Sequence, residues 1–184
     1  MTDSFQATIW RIPPGGGAPQ PWFTNAAMDG VFGPNGVRVD DKSQKLYFTR
    51  TLVGTGEGYV YTLPLVDQPQ LSDMHLFHAY TPGAAPDGIA FGRSGKLYVA
   101  LAGCSQISVL DPSGAEVARY SGPAGTLPWA NPANIAFDNG RNRILVTNHA
   151  SLTGLPDPSY LFAVFDVFVD DKAGKLFGGS EDQF

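Results

Sequence analysis

The chain repeats itself, and the period of the repeat restricts the fold more than any other feature. Three segments align: Gly33-Pro34-Asn35-Gly36-Val37-Arg38-Val39, Ala85-Pro86-Asp87-Gly88-Ile89-Ala90-Phe91 and Asn131-Pro132-Ala133-Asn134-Ile135-Ala136-Phe137. Each starts on a Pro-containing turn, sets an Asn or Asp at its end and runs into a short apolar strand. A second strand follows at Lys45 to Thr49, Lys96 to Ala100 and Arg143 to Thr147. A third is expected at Tyr59 to Leu63, Gln106 to Leu110 and Tyr160 to Val169. The fourth is expected at Met74 to Tyr80, Glu116 to Tyr120 and, in the last unit, the short Lys175 to Phe177. Asp111-Pro112-Ser113-Gly114 has the residues of a hairpin turn between third and fourth strands. Thr8 to Ile12 and Gln20 to Thr24, around Gly15-Gly16-Gly17, read as the last two strands of a preceding unit.

Asn35 and Asp87 are 52 positions apart, and Asp87 and Asn134 are 47 apart. Four short strands per unit at that spacing predict an all-β chain, a β-propeller of four-stranded antiparallel blades. No stretch holds a helical period. A β-sandwich of evenly spaced strands is the competing architecture. The expected layout is a half blade over 1–30 and blades over 31–82, 83–128 and 129–184, about three and a half in all. Propellers close with about four to eight blades. An open arc exposes strand edges, so the expectation is either further residues upstream or self-association of two copies through the open blade edge.

The formal net charge of −5 and the scattered basic residues argue against a nucleic-acid partner. No apolar run reaches the ~18 residues that cross a bilayer, so no membrane partner is expected. Met1 to Gln6 lacks the basic and apolar regions of a signal peptide. The default compartment is therefore cytoplasmic, with secretion the alternative should an upstream segment carry a leader. Cys104 is the single cysteine, which rules out an internal disulfide and reads as a small buried residue.

In a propeller the first strand of each blade lines the central channel, and the turn before it lies at one mouth. Asn35, Asp87 and Asn134 hold equivalent places on three blades, so their side-chain oxygens are expected to converge as metal ligands. Calcium takes six to eight hard oxygen donors, which Asn and Asp supply; zinc would call for His or Cys. The competing explanation is local, since Pro-Asn-Gly and Pro-Asp-Gly make turns through residues that tolerate positive φ. His149 follows a second strand and is placed to hang over the mouth as a proton shuttle, against an ordinary loop histidine. His75 and His78 fall on an outer strand, and Trp10, Trp22 and Trp129 read as packing residues.

Gly33-Pro34-Asn35-Gly36, then Pro86-Asp87-Gly88 followed by Gly95-Lys96-Leu97-Tyr98-Val99-Ala100, resembles the gluconolactonase/regucalcin/squid-type phosphotriesterase family. Pro132 to Phe137 with Ile144 to His149 is similar to that family's closing blade, and Phe162 to Val169 to its carboxyl-terminal strands. The resemblance implies a six-bladed parent fold and a calcium-dependent hydrolase acting on a small lactone or ester substrate. It gives Asp87 the role of ligand and of nucleophile or general base, and His149 a place lining the active site. The family's site also uses an acidic ligand, usually Glu, from the first blade, and no residue here takes that place. Glu57, in the glycine-rich Gly54 to Gly58 loop, is not assigned to it. The expectation is therefore weak calcium binding. The alternatives are a non-catalytic propeller that binds through its rim and a strictosidine-synthase-like relative.

Overall fold

A computed structural model describes residues 1–121, 129–138, 141–150 and 161–174. The described strands are β1 (Thr2–Asp3), β2 (Thr8–Arg11), β3 (Gln20–Thr24), β4 (Phe32–Asp40), β5 (Lys45–Leu52), β6 (Gly58–Pro64) and β7 (His75–Tyr80). They continue with β8 (Pro86–Phe91), β9 (Leu97–Leu101), β10 (Gln106–Leu110), β11 (Glu116–Ser121), β12 (Pro132–Asp138), β13 (Arg143–Asn148) and β14 (Val164–Phe168). Hydrogen bonding groups them as β1-β2-β3, β4-β5-β6-β7, β8-β9-β10-β11 and β12-β13-β14. Neighbours in sequence are neighbours in each sheet, and the pairings among the described strands are antiparallel. That up-and-down order is the order of propeller blades, and the chain is a partial β-propeller. The repeat's first strands, β4, β8 and β12, each stand at one edge of their sheet.

The chain divides into two compact units, Met1–Pro86 and Asp87–Phe184. In the first, alternation along the strands turns Ile9, Phe23, Leu46, Phe48 and Leu63 into one buried cluster with Ala7 and Met28. Trp22 lies against that cluster and donates its indole N–H to the Val66 carbonyl at 2.8 Å. In the second unit Tyr98, Ala100, Ile107 and Val109 share a core with Trp129, Ile135, Ile144, Val146 and Val169. Each fully buried Ile, Leu or Phe contributes about 1.5–3 kcal/mol, so these shared faces supply most of the drive to fold. Register shows the division of labour in the last sheet. The row Ile135, Val146, Phe165 and the row Phe137, Ile144, Val167 face the core. The opposite face carries Leu145, Val164 and Phe168 in the open, beside the Arg143–Asp166 ion pair.

Two local expectations change. Cys104 is exposed, because it falls on the turn between β9 and β10, where its Sγ lies 3.4 Å from Gln106 Oε1. Its thiol pKa is raised, chiefly by partial desolvation, so the residue stays unreactive in either setting. The long third strand expected over Tyr160 to Val169 is the shorter β14; Tyr160 and the Lys175 to Phe177 strand lie outside the described residues.

One buried carboxylate ties the second unit together. Asp171 accepts hydrogen bonds from the Ser94 N–H at 3.2 Å, the Lys172 N–H at 2.8 Å, the Tyr98 hydroxyl at 3.4 Å and the Ser94 hydroxyl. It fills the space over Gly92, where a Cβ would lie 2.1 Å from Asp171 Oδ2. Ala173 bridges Gly92, and Gly174 donates to Phe91 at 3.0 Å, so the segment after β14 clamps the β8–β9 turn. Burial and then the Asp171 charge raise the Tyr98 phenol pKa. Replacing Asp171 with Ala strands several donors and opens a void. Urea unfolding is expected to show a loss of about 2–4 kcal/mol, with Asp171→Asn losing less.

Candidate functional site

The residues singled out by the repeat lie inside strands rather than ahead of them. β4 runs through Pro34-Asn35-Gly36, and its register against β5 shifts between Pro34, opposite Arg50, and Val37, opposite Phe48. The shift is a bulge, which leaves Asn35 and Gly36 out of the ladder. Hydroxyls take over. The Gly36 N–H donates to Thr49 Oγ1 at 2.8 Å, and the Thr2 hydroxyl donates to the Asn35 carbonyl. Ser4 adds a hydroxyl bond to the Pro34 carbonyl at 2.9 Å. Gly33 is needed here because a Cβ would stand 2.8 Å from the Met28 carbonyl oxygen.

In the second unit β12 bulges between Pro132 and Asn134, at the same place in the repeat. The Asn134 N–H donates to Thr147 Oγ1 at 3.1 Å, and the Thr147 hydroxyl reaches the Asn134 carbonyl at 3.5 Å. Asn134 Oδ1 accepts the Ile135 N–H at 2.9 Å. Asn134 also packs on the residue after Asp87. A Cβ on Gly88 would fall 2.3 Å from Asn134 Oδ1 and 2.6 Å from the Ala133 carbonyl. The structure therefore brings the starts of β8 and β12 together, while Asn35 stands in the other unit.

Left-handed turn chemistry does not explain these positions. The positive-φ residues are those just before the prolines, Ala85 at 48° and Asn131 at 53°. Asn35, Asp87 and Asn134 are not among them. Asn131 is buried and anchors its turn by donating to the Ala102 carbonyl at 2.8 Å.

Asp87 is half-buried at the start of β8, and burial raises its carboxyl from the ordinary 3.8 to about 6. His149 is exposed just after β13, and its backbone N–H donates to the Asn131 carbonyl at 2.9 Å. It therefore lies at the same end of the last sheet as Asn134. Glu57 is bound by the Thr55 hydroxyl within its own loop, which lowers its carboxyl pKa. His75 and His78 lie on β7, where the His78 and Tyr80 rings meet at 4.4 Å. Among the described residues no three His, Cys, Asp or Glu side chains cluster as a metal site. Hard oxygens such as those of Asp87 and Asn134 suit calcium in kind, and a cation beside a desolvated carboxylate would offset its burial. They suit it less well in number.

The profile of the SMP-30/gluconolactonase/LRE-like region matches residues 3–150. The chain belongs to this family. Comparison with curated protein sequences gives no match. Among solved structures, a calcium-binding regucalcin from Agrobacterium tumefaciens is 18% identical with a TM-score of 0.67, over 94% of this chain and 55% of its own. A gluconolactonase from Xanthomonas campestris is 21% identical with a TM-score of 0.56, over 77% and 41%. Virginiamycin B lyase from Staphylococcus aureus is 17% identical with a TM-score of 0.54, over 92% and 51%. Likeness at these identities establishes the fold, and the chain spans about half the length of these relatives.

Two outcomes follow from the packing at Asp87. Gly88→Ala is expected to lower stability by about 1–3 kcal/mol through the clash with Ala133 and Asn134, read as a lower urea midpoint. The folded Asp87 carboxyl binds its proton more tightly than the unfolded one, so its contribution is full below about pH 4 and is lost as pH rises through about 6. Metal-free Asp87→Asn should match wild type near pH 4 and exceed it by up to about 3 kcal/mol at pH 7. Equal pH profiles for the two proteins would count against a desolvated Asp87.

Proposed function

We propose that this chain carries part of the active site of a lactonase-type hydrolase that uses a divalent cation, calcium in the first instance. The observation that carries this is the placement of Asp87. A half-buried carboxylate stands near the start of an edge strand of its blade, and the next residue, Gly88, packs on Asn134. Family membership over residues 3–150 includes all four proposed site residues.

Asp87, with Asn134 as its candidate neighbour, would hold the cation, which when bound would polarise a lactone carbonyl or phosphoryl oxygen. The chain's own residues supply the rest. Asp87 orients the attacking water and accepts its proton as the new C–O bond forms. His149 returns a proton to the ring oxygen as the acyl C–O bond breaks, giving the hydroxy acid. The substrate is a small lactone or ester, with a phosphotriester as the second class. The presence of one carboxylate among the three candidate ligands favours a second reading, a propeller that binds its ligand without turnover.

A pH-stat assay on a sugar δ-lactone and an aryl phosphotriester, with calcium and with chelator, separates the readings. Asp87→Asn is expected to lower kcat/KM by about 100-fold or more, and His149→Ala by about 10-fold. Turnover by Asp87→Asn at the wild-type rate overturns the assignment, and calcium-dependent lactone binding without turnover selects the binding module.

A further inference from the structure

The last sheet buries one apolar face and leaves the other in water, and the repeat shows what kind of cover the open face suits. Arg143 to Thr147 is equivalent to Lys96 to Ala100 in the preceding sheet, so Leu145 and Thr147 stand where that sheet has Tyr98 and Ala100. The ladders carry the match to the third strand. Tyr98 pairs with Val109 and Ala100 with Ile107, as Leu145 pairs with Asp166 and Thr147 with Val164. Tyr98, Ala100, Ile107 and Val109 are buried in the core shared with the last sheet, where the Phe137 ring meets Tyr98 edge-on at 5.1 Å. In that blade a sheet of the same repeat covers the face. In the next blade the equivalent face, with Leu145 at 39%, Val164 at 64% and Phe168 at 65% exposure, has no cover among the described residues.

Single exposed apolar side chains are ordinary, but three on one face of two paired strands form a patch of the kind that marks an interface. Its charges narrow the occupant. Arg143 and Asp166 lie within the patch and pair with each other, Arg143 Nη2 also donating to the Asp166 carbonyl at 3.1 Å. Both signs occur side by side, so a two-fold axis passing between them sets each against its opposite on an identical face. A partner of one sign, such as a nucleic acid, gains nothing from such a face. The solved relatives have about twice this length of chain in the same fold, the match taking in 55% of the regucalcin and 51% of the lyase. A second copy supplies that additional length. A contact between identical faces is also closed, whereas a contact between different faces propagates from copy to copy unless it forms a ring.

We propose that the open face of the β12-β13-β14 sheet, centred on Leu145, Val164 and Phe168, is the docking surface for the same face of a second copy, giving a two-fold dimer. The contact is between sheet faces, packed about 10 Å apart, and not along the unpaired strand edge that an open blade offers. It does not depend on the hydrolase reading.

Sedimentation velocity and light scattering on the whole chain, over a range of concentrations, test it. Wild type is expected to be a dimer at micromolar concentration. Val164→Lys and Phe168→Glu should each raise the dimer Kd by about 30-fold or more. Leu76→Lys and Val117→Lys, at exposed positions on the outer strands β7 and β11, should leave it unchanged. All four positions are exposed, and circular dichroism with urea unfolding checks that each variant folds. Should either face variant fail to fold, charge reversal decides: Asp166→Arg should weaken the dimer, and adding Arg143→Asp should recover it. A wild-type chain that stays monomeric throughout overturns the proposal, as does a dimer that survives both face substitutions. Association lost in Leu76→Lys or Val117→Lys but kept in Val164→Lys assigns it to strand edges and overturns the face contact. Growth beyond the dimer with concentration, or no recovery in the charge-reversed pair, overturns the two-fold arrangement.

Discussion

Two sheets share each buried face. Ile9 and Phe23 meet Leu46, Phe48 and Leu63 in the first unit, and Ile107 and Val109 meet Ile135, Ile144 and Val146 in the second. No three- or four-stranded sheet of this size is stable with that apolar face in water. The position of every other feature follows from this pairing. Because the side-chain period is two, a slip of one residue would exchange Ile135 and Val146 for Asn134 and Thr147 across the sheet. The same register that buries the core therefore places Asn134 and Thr147 on the other face.

Strand content and order were legible in the sequence because both come from that alternation. Gln20–Thr24 and Gln106–Leu110 have the observed limits, and the hairpin at Asp111 is closed by its own side chain, which accepts from Ser113 and Ala115. What the sequence concealed depends on contacts between distant residues. β1 is too short to show a pattern, yet it pairs with β2 and lends Thr2 to Asn35. The burial of Asp171 could not be read from its surroundings in the chain, since most of its donors come from Ser94 and Tyr98. The repeat suggested turns at Asn35 and Asp87, whereas the chain is already in strand there and the left-handed residues precede the prolines.

Glycine has two separate duties around the candidate site. Gly33 and Gly88 have no positive φ to accommodate; their job is to let one backbone approach another, at Met28 and at Ala133 respectively. In the Pro86-Asp87-Gly88 sequence the glycine thus serves packing between strands of two sheets rather than a turn. Burial beside that packed glycine leaves the Asp87 carboxyl desolvated and its pKa raised.

The Asp171 clamp also bears on how the polypeptide acquires its shape as it is made. Ser94 and Asp171 are 77 residues apart, and the bonds between them close the turn that joins β8 to β9. A chain growing from its amino end exposes that hairpin long before its cap exists. During that interval the Ser94 donors are left to water, and the hollow above Gly92 is open. The buried cluster of the first unit draws on residues between Ala7 and Leu63, all of which have been made well before Asp171. Translation thus imposes an order on this molecule, with one half able to settle early and the other held unfinished until its last strand has passed.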